Sequence, residues 1–167
     1  QPVIGSKSCS KFTRAANVYG PGQQLYRIVP RTILSALSNK PLQLHGGGKS
    51  IRSFIHIKDV VSATMKLALE AEPGSTWHIS TKECITIRML VQKILDILDV
   101  DFESLVEETE DRLGKDQSYL LDSSAIREKY GWKAEIGLID GLSDTIEWAS
   151  RYFKTLTELS WEYTHKE

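Results

Sequence analysis

Short apolar or alternating runs recur along this chain, each parted from the next by a stretch with helical spacing. That alternation constrains the fold most, because strands joined through helices run parallel and need helices to cover them. Phe12 to Asn17 reads as a short strand, and the breaker cluster Tyr19-Gly20-Pro21-Gly22 follows it. Helical spacing begins near Leu25, with Val29, Ile33, Leu34 and Leu37 on one face and Pro30 acceptable only in a first turn. Leu42 to Leu44 is a second strand. Arg52 to Ile57 alternates as a third, Phe54 and His56 on one side and Ile55 and Ile57 on the other. Asp59 is then the N-cap or first-turn acid of a helix carrying Val60, Thr64, Leu67 and Ala68 on one face and stopping near Glu72-Pro73-Gly74. Thr76 to Ser80 is another strand, and Thr86 caps the clearest helix, with Ile87, Leu90, Val91, Ile94 and Leu98 in register.

The second half is thinner in signal. Residues 99–117 are rich in acids and read as a loop with at most a short strand. Ser118 to Leu121 is a strand, Ser123 caps a brief helix ending near Tyr130-Gly131-Trp132, and Leu138, Leu142, Ile146, Ala149 and Phe153 share a face of the last helix. The chain therefore divides into an irregular segment 1–11, one domain over 12–155 and a tail 156–167 that is expected to be disordered from Trp161 onward. The fold class is α/β, short strands mixed with helices.

Composition narrows the function. At 167 residues there is room for one ordinary core. A net charge of −1 supplies no basic field, so nucleic acid is not the expected partner. No apolar run approaches the roughly 18–20 residues of a membrane span. Gln1-Pro2-Val3-Ile4 has none of the layout of a signal peptide. The two cysteines, Cys9 and Cys84, lie far apart outside any metal-ligand spacing, and the four histidines are scattered, so no metal site and no disulfide are expected and a reduced, cytoplasmic setting is the default. The first residue is not methionine, as in a fragment or a processed piece.

The chemistry has to come from loops beside strand ends, where α/β folds place ligands. No nucleophile elbow, no phosphate-cradling loop and no Gly-x-Gly-x-x-Gly fingerprint is present. Gly46-Gly47-Gly48-Lys49-Ser50 lacks the first glycine that a phosphate loop requires. Asn17, Arg27, Arg52, Arg112 and Lys115 remain as polar groups in suitable places. Several cations converging on one site would suit a diphosphate, because guanidinium forks match phosphate oxygens.

The segment Arg14-Ala-Ala-Asn17-Val18-Tyr19-Gly20-Pro21-Gly22-Gln23 resembles the Asn-x-Tyr-Gly-Pro segment of extended short-chain dehydrogenase/reductases that act on nucleotide-diphosphate sugars. Further matches follow in family order: Ile28-Val29-Pro30, Gly46 to Asp59 with Arg52-x-Phe-Ile-His-Ile-x-Asp59, Asp111-Arg112-Leu113-Gly114-Lys115-Asp116, Tyr119 to Asp122, Tyr130-Gly131-Trp132-Lys133 and Gly141-Leu142 to Glu147-Trp148. The similarity runs from about Phe12 to Phe153 and is greatest to 4,6-dehydratases of the dTDP-glucose type, with 4-epimerases next.

The resemblance implies the C-terminal, substrate-binding portion of a Rossmann-type enzyme whose partner is a nucleotide-diphosphate sugar. It implies diphosphate contacts for Asn17, Arg52 and Arg112, substrate contacts for Arg27 and Ile28 at the helix start, and a phosphate or sugar contact for Lys115. His45 and His78, where the family tends to have tyrosine and asparagine, are implied to meet the base or ribose. Ser53 stands where the family often has aspartate. In the family a Tyr-x-x-x-Lys pair and bound NAD carry the redox step; neither that pair nor the cofactor loop occurs in these residues. NAD binding and catalysis by this chain alone are therefore not expected, and no catalytic residue is assigned. The choice of dehydratase, epimerase or a non-catalytic nucleotide-sugar-binding relative stays open, as do base, sugar and oligomeric state. A homo-oligomer is allowed, because a core built to pack against a missing half would expose apolar surface.

Overall fold

A computed structural model of the chain describes residues 10–110 and 118–162. The first strand region splits in two, β1 (Phe12–Ala15) and β2 (Asn17–Tyr19), which part at Ala16 to pair with different neighbours. After the Gly20–Gly22 turn comes α1 (Ile28–Ser38), then β3 (Leu42–His45) and a 3-10 turn over Gly46–Gly48. Strand β4 (Ile51–Arg52), strand β5 (Phe54–His56) and helix α2 (Ile57–Glu70) follow. Next are β6 (Thr76–Ile79), β7 (Ile85–Thr86) and α3 (Ile87–Leu98). The C-terminal third holds α4 (Phe102–Leu105), β8 (Val106–Thr109), β9 (Ser118–Tyr119), α5 (Ser124–Tyr130), α6 (Leu138–Arg151) and α7 (Phe153–Thr157).

The ladders are mostly parallel: β1 with β6, β2 with β5 and β3 with β8, while β4 lies between antiparallel β7 and parallel β9. Parallel pairs need cover on both faces. Helices α1, α3 and α6 supply it on one side, meeting around Ile33, Leu34, Leu90, Ile94 and Leu142 together with Tyr19 and Phe54. A second cluster joins α2 and α5 to the strands through Ile55, Leu67, Ile79 and Ile126, and a third packs Leu42 and Leu44 against Val91, Leu95, Phe102 and Leu105. Each fully buried aliphatic side chain of this kind contributes about 1.5–3 kcal/mol relative to exposure.

Local chemistry explains the helix ends. Pro30 is the third residue of α1, inside the first turn where its missing N–H costs nothing. Thr86 accepts from the Met89 N–H at 3.1 Å and starts α3 as the spacing requires. Asn39 and Asp99 close α1 and α3 in the left-handed conformation, with φ of 51° and 55°.

Several expectations change. The run from Arg52 to Ile57 is not one strand: it breaks at buried Ser53, and Ile57 already belongs to α2. The N-cap of α2 is His56, whose ring accepts from the Lys58 N–H, so Asp59 is the first-turn acid. Asp59 is buried and accepts from the Glu135 and Ile136 N–H groups at 3.0 and 3.1 Å, which ties α2 to the segment entering α6. The inner face of α2 is Asp59, Ala63 and Leu67, with Thr64 and Ala68 outside. Ile57, Val61, Met65 and Leu69 form an outer stripe at four-residue spacing, with Leu69 79% exposed. Leu37 is likewise at the surface of α1.

Ser123 starts α5 without capping it. Its hydroxyl donates to the Ser80 carbonyl, and Asp122 takes the Ser124 N–H instead. Within the acid-rich stretch, Asp101 caps α4 and Phe102 and Leu105 are buried, which the charge pattern hid. Phe153 sits in α7, beyond the end of α6. Trp161 docks on the core instead of fraying: its indole N–H donates to Leu156, Lys40 lies 5.0 Å over the ring, and Arg31 reaches its carbonyl. No described helix is long and apolar enough to cross a membrane.

Candidate nucleotide-sugar cleft

Strand β2 pairs in parallel with β5 and β3 pairs separately with β8, and residues at the C-terminal ends of β2, β3 and β5 line one cleft of about 810 Å³. That is the position where open parallel sheets bind ligands, and the volume is within the usual few hundred to roughly 1,000 Å³. Asn17, Arg27, Ile28, His45 and Arg52 all line it, brought together from four separate segments. Tyr19, the Gly20–Gln24 turn, Gln43 and Ser50 line it too, with Phe54, Ile57 and Ile87 among its apolar residues.

Each side chain has a physical anchor. Asn17 is held by its Nδ2, which donates to the Ser53 carbonyl at 3.1 Å. Arg52 is half-buried at the end of β4, with Nη1 donating to its neighbour Ile51 O at 2.7 Å. Arg27 is exposed at the N-cap position of α1 and stacks 5.2 Å over the Tyr26 ring. Ile28 begins that helix and is half-buried. The His45 ring is oriented by Thr109 of β8, Nδ1 to Oγ1 at 2.7 Å. Gln23 braces the turn, its amide N–H donating to the Val18 carbonyl at 2.7 Å.

His78 is not brought here. It lies on β6 in register with Arg14 of β1, away from the cleft lining. Arg112 and Lys115 fall outside the described residues. Ser53 is committed elsewhere: its hydroxyl lies 2.9 Å from both the Ser80 and Thr81 hydroxyls, a buried network that an aspartate would have to ionise or break.

Behind the Tyr19 wall of the cleft, His56 and Asp144 form a contact to which the sequence gives no role. Tyr19 donates to the Leu138 carbonyl and packs edge-on against the His56 ring, centroids 5.4 Å apart. Burial pushes the Tyr19 phenol well above its ordinary range, with nearby carboxylates adding to the effect. His56 Nε2 lies 3.3 Å from Asp144 of α6, and Lys58 pairs with the same carboxylate at 2.9 Å. Burial lowers the His56 pKa below 6.5, with Asp144 opposing and Lys58 assisting. The signal was the histidine that follows Phe54-Ile55, read only as one face of a strand.

Among the described residues no cluster of histidine, cysteine and carboxylates could hold a metal.

Residues 6–80 match the NAD dependent epimerase/dehydratase family. The chain is 35% identical over 136 residues to the trifunctional UDP-glucose 4,6-dehydratase/3,5-epimerase/reductase RHM2 of Arabidopsis thaliana, covering 81% of this chain and 20% of that one. It is 30% identical over 146 residues to the dTDP-glucose 4,6-dehydratase of Escherichia coli, covering 81% and 40%. Its fold superposes on the Streptomyces venezuelae dTDP-glucose 4,6-dehydratase DesIV, solved with NAD and TYD bound, with a TM-score of 0.83 at 29% identity over 87% of this chain and 45% of that one. The Thermotoga maritima UDP-glucose 4-epimerase, solved with UDP-glucose, gives 0.78 at 30% identity over 87% and 46%. The chain thus spans less than half the length of these relatives. Sequence and fold agree: the chain belongs to the NAD dependent epimerase/dehydratase family, within the extended short-chain dehydrogenase/reductases.

Proposed function

We propose that these residues are the nucleotide-sugar-binding portion of an NAD-dependent 4,6-dehydratase acting on a dTDP- or UDP-hexose. The observation that carries this reading is the convergence of Asn17, Arg27, Ile28, His45 and Arg52 on one cleft at parallel strand ends. Arg52 and Arg27 supply charge for the diphosphate, and Ile28 and His45 flank the space for the nucleoside. Arg112 and Lys115 join by family resemblance. The chain's task is to fix the donor so that the sugar faces a cofactor held elsewhere in the protein. A 4-epimerase is the second reading, favoured by the 0.78 superposition on the Thermotoga enzyme. On either reading these residues bind without turning over by themselves, since the Tyr-x-x-x-Lys pair is not among them. A reduced, cytoplasmic setting accords with the exposed free thiol of Cys84.

Calorimetric titration with dTDP-glucose and UDP-glucose tests the proposal. Binding of at least one is expected, and Arg52→Ala should weaken it by roughly 10- to 150-fold, the loss of one charge-assisted contact of about 1.5–3 kcal/mol. No binding of either, or an unchanged Kd in Arg52→Ala, overturns it.

A further inference from the structure

Behind the cleft, the His56 ring fills the space between the Gly20 turn and α6. A Cβ on Gly20 would stand 2.6 Å from Ile57 Cγ2 and 3.1 Å from His56 Nε2, and one on Gly141 would stand 3.1 Å from His56 Cδ2 and 2.2 Å from the Tyr19 hydroxyl. Both glycines are therefore gaps into which the ring and its neighbour fit. Asp144, less than one helical turn beyond Gly141, faces the same ring. Nδ1 accepts from the Lys58 N–H at 3.4 Å, which leaves the ring proton on Nε2. Nε2 is buried and 3.3 Å from Asp144 Oδ2, yet makes no hydrogen bond among the described residues, so with the ring neutral the contact is one of position, the Nε2–H end of the ring lying beside the carboxylate.

We propose that His56 and Asp144 act as a positioning pair that braces the Tyr19–Gly20 wall of the cleft, and that protonation of His56 loosens this wall and weakens nucleotide-sugar binding. The inference rests on the cleft being the nucleotide-sugar site. A second ring proton would sit on Nδ1 and face the Lys58 N–H, donor against donor, so the N-cap of α2 is lost. The ring must then shift, and Gly20, in contact with its edge, shifts with it. The charged and titratable groups around the ring are Asp144 on α6, Lys58 and Asp59 on α2 and Tyr19 on β2. Lys58 and desolvation oppose the proton, and the two carboxylates favour it.

The test is Kd for dTDP-glucose and UDP-glucose between pH 7.5 and 5.5, in the wild type, His56→Asn and Asp144→Asn. Diester phosphates do not titrate there, so the ligand contributes no slope. In the wild type Kd should rise at least about fivefold on acidification. His56→Asn keeps an N-cap acceptor but cannot titrate, and should give a flat profile. Asp144→Asn, on the half-exposed face of α6, should fold normally and shift the profile. A brace that serves folding alone would lower Tm in both variants and leave the Kd profile unchanged, which overturns the proposal. A second arm needs no ligand: the Gly20 amide resonance should follow the His56 ring titration in the wild type and stay flat in His56→Asn. If neither sugar nucleotide binds while Gly20 still follows His56, the binding role of the cleft fails and the mechanical coupling stands. If Gly20 does not follow, the coupling is refuted whatever binds.

Discussion

Asp59→Ala should be among the most damaging single changes to this fold. The carboxylate is buried and accepts two backbone N–H groups, from Glu135 and Ile136, at 3.0 and 3.1 Å. Bonds to a charged acceptor are worth about 1.5–3 kcal/mol each, and removal leaves both N–H groups unpaired. The first turn of α2 also loses an acid near its positive end, worth about 0.3–1 kcal/mol. Since the two bonds share one acceptor, we expect a total of about 3–5 kcal/mol. In a chain of this size that lowers Tm by roughly 6–20 °C. Asp140→Ala is the matched control, because it too is a first-turn acid, of α6, and shares the dipole contribution alone. It should cost no more than about 1 kcal/mol. Urea and thermal unfolding followed by circular dichroism at pH 7 read both. An Asp59→Ala variant within about 1 kcal/mol of the control refutes the claim that this carboxylate ties α2 to α6.

Gly141→Ala should destabilise strongly, because the new methyl meets the Tyr19 hydroxyl at 2.2 Å and that ring is held by Leu138; differential scanning calorimetry against Gly137→Ala, where the nearest atom is 3.4 Å away, measures it. Stability should fall on acidification: His56 has a lowered pKa in the folded state, so its contribution is complete above the unfolded value of 6.5 and is lost as pH drops toward the folded one. Urea midpoints across pH 5–8 should show this slope in the wild type and less of it in His56→Asn. The outer stripe of α2 predicts concentration-dependent self-association that Met65→Glu with Leu69→Glu abolishes in sedimentation equilibrium.

The helices were legible where a strong local signal met a one-sided pattern. Thr86 and the residues after it named α3, whereas the helical spacing read from Leu25 set α1 three residues before its start at Ile28. Strands were harder, since two to four residues carry little periodicity and neighbours decide the pairing. Ala16 and Ser53 illustrate this: each is the point where the chain passes from one parallel partner to another, which no local pattern encodes. Phe102 and Leu105 sit in an acidic stretch, and only the facing Leu42, Leu44 and Leu95 make them core. The cleft came through the ordered family segments, so Asn17, Arg27, Ile28, His45 and Arg52 were named and converge. His78 shares the family context but belongs to a different pair of strands. The His56–Asp144 contact spans 88 residues of sequence and a helix face, and nothing in the local chemistry of either residue announces it.

The most direct measurement of the central claim is amide shift mapping of the ¹⁵N-labelled chain during titration with dTDP-glucose and with UDP-glucose. The cleft predicts saturable shifts centred on Asn17, Gly20, Arg27, Ile28, His45 and Arg52, with β6 around His78 unmoved. Saturable shifts centred on β6, or none at millimolar ligand, would contradict it.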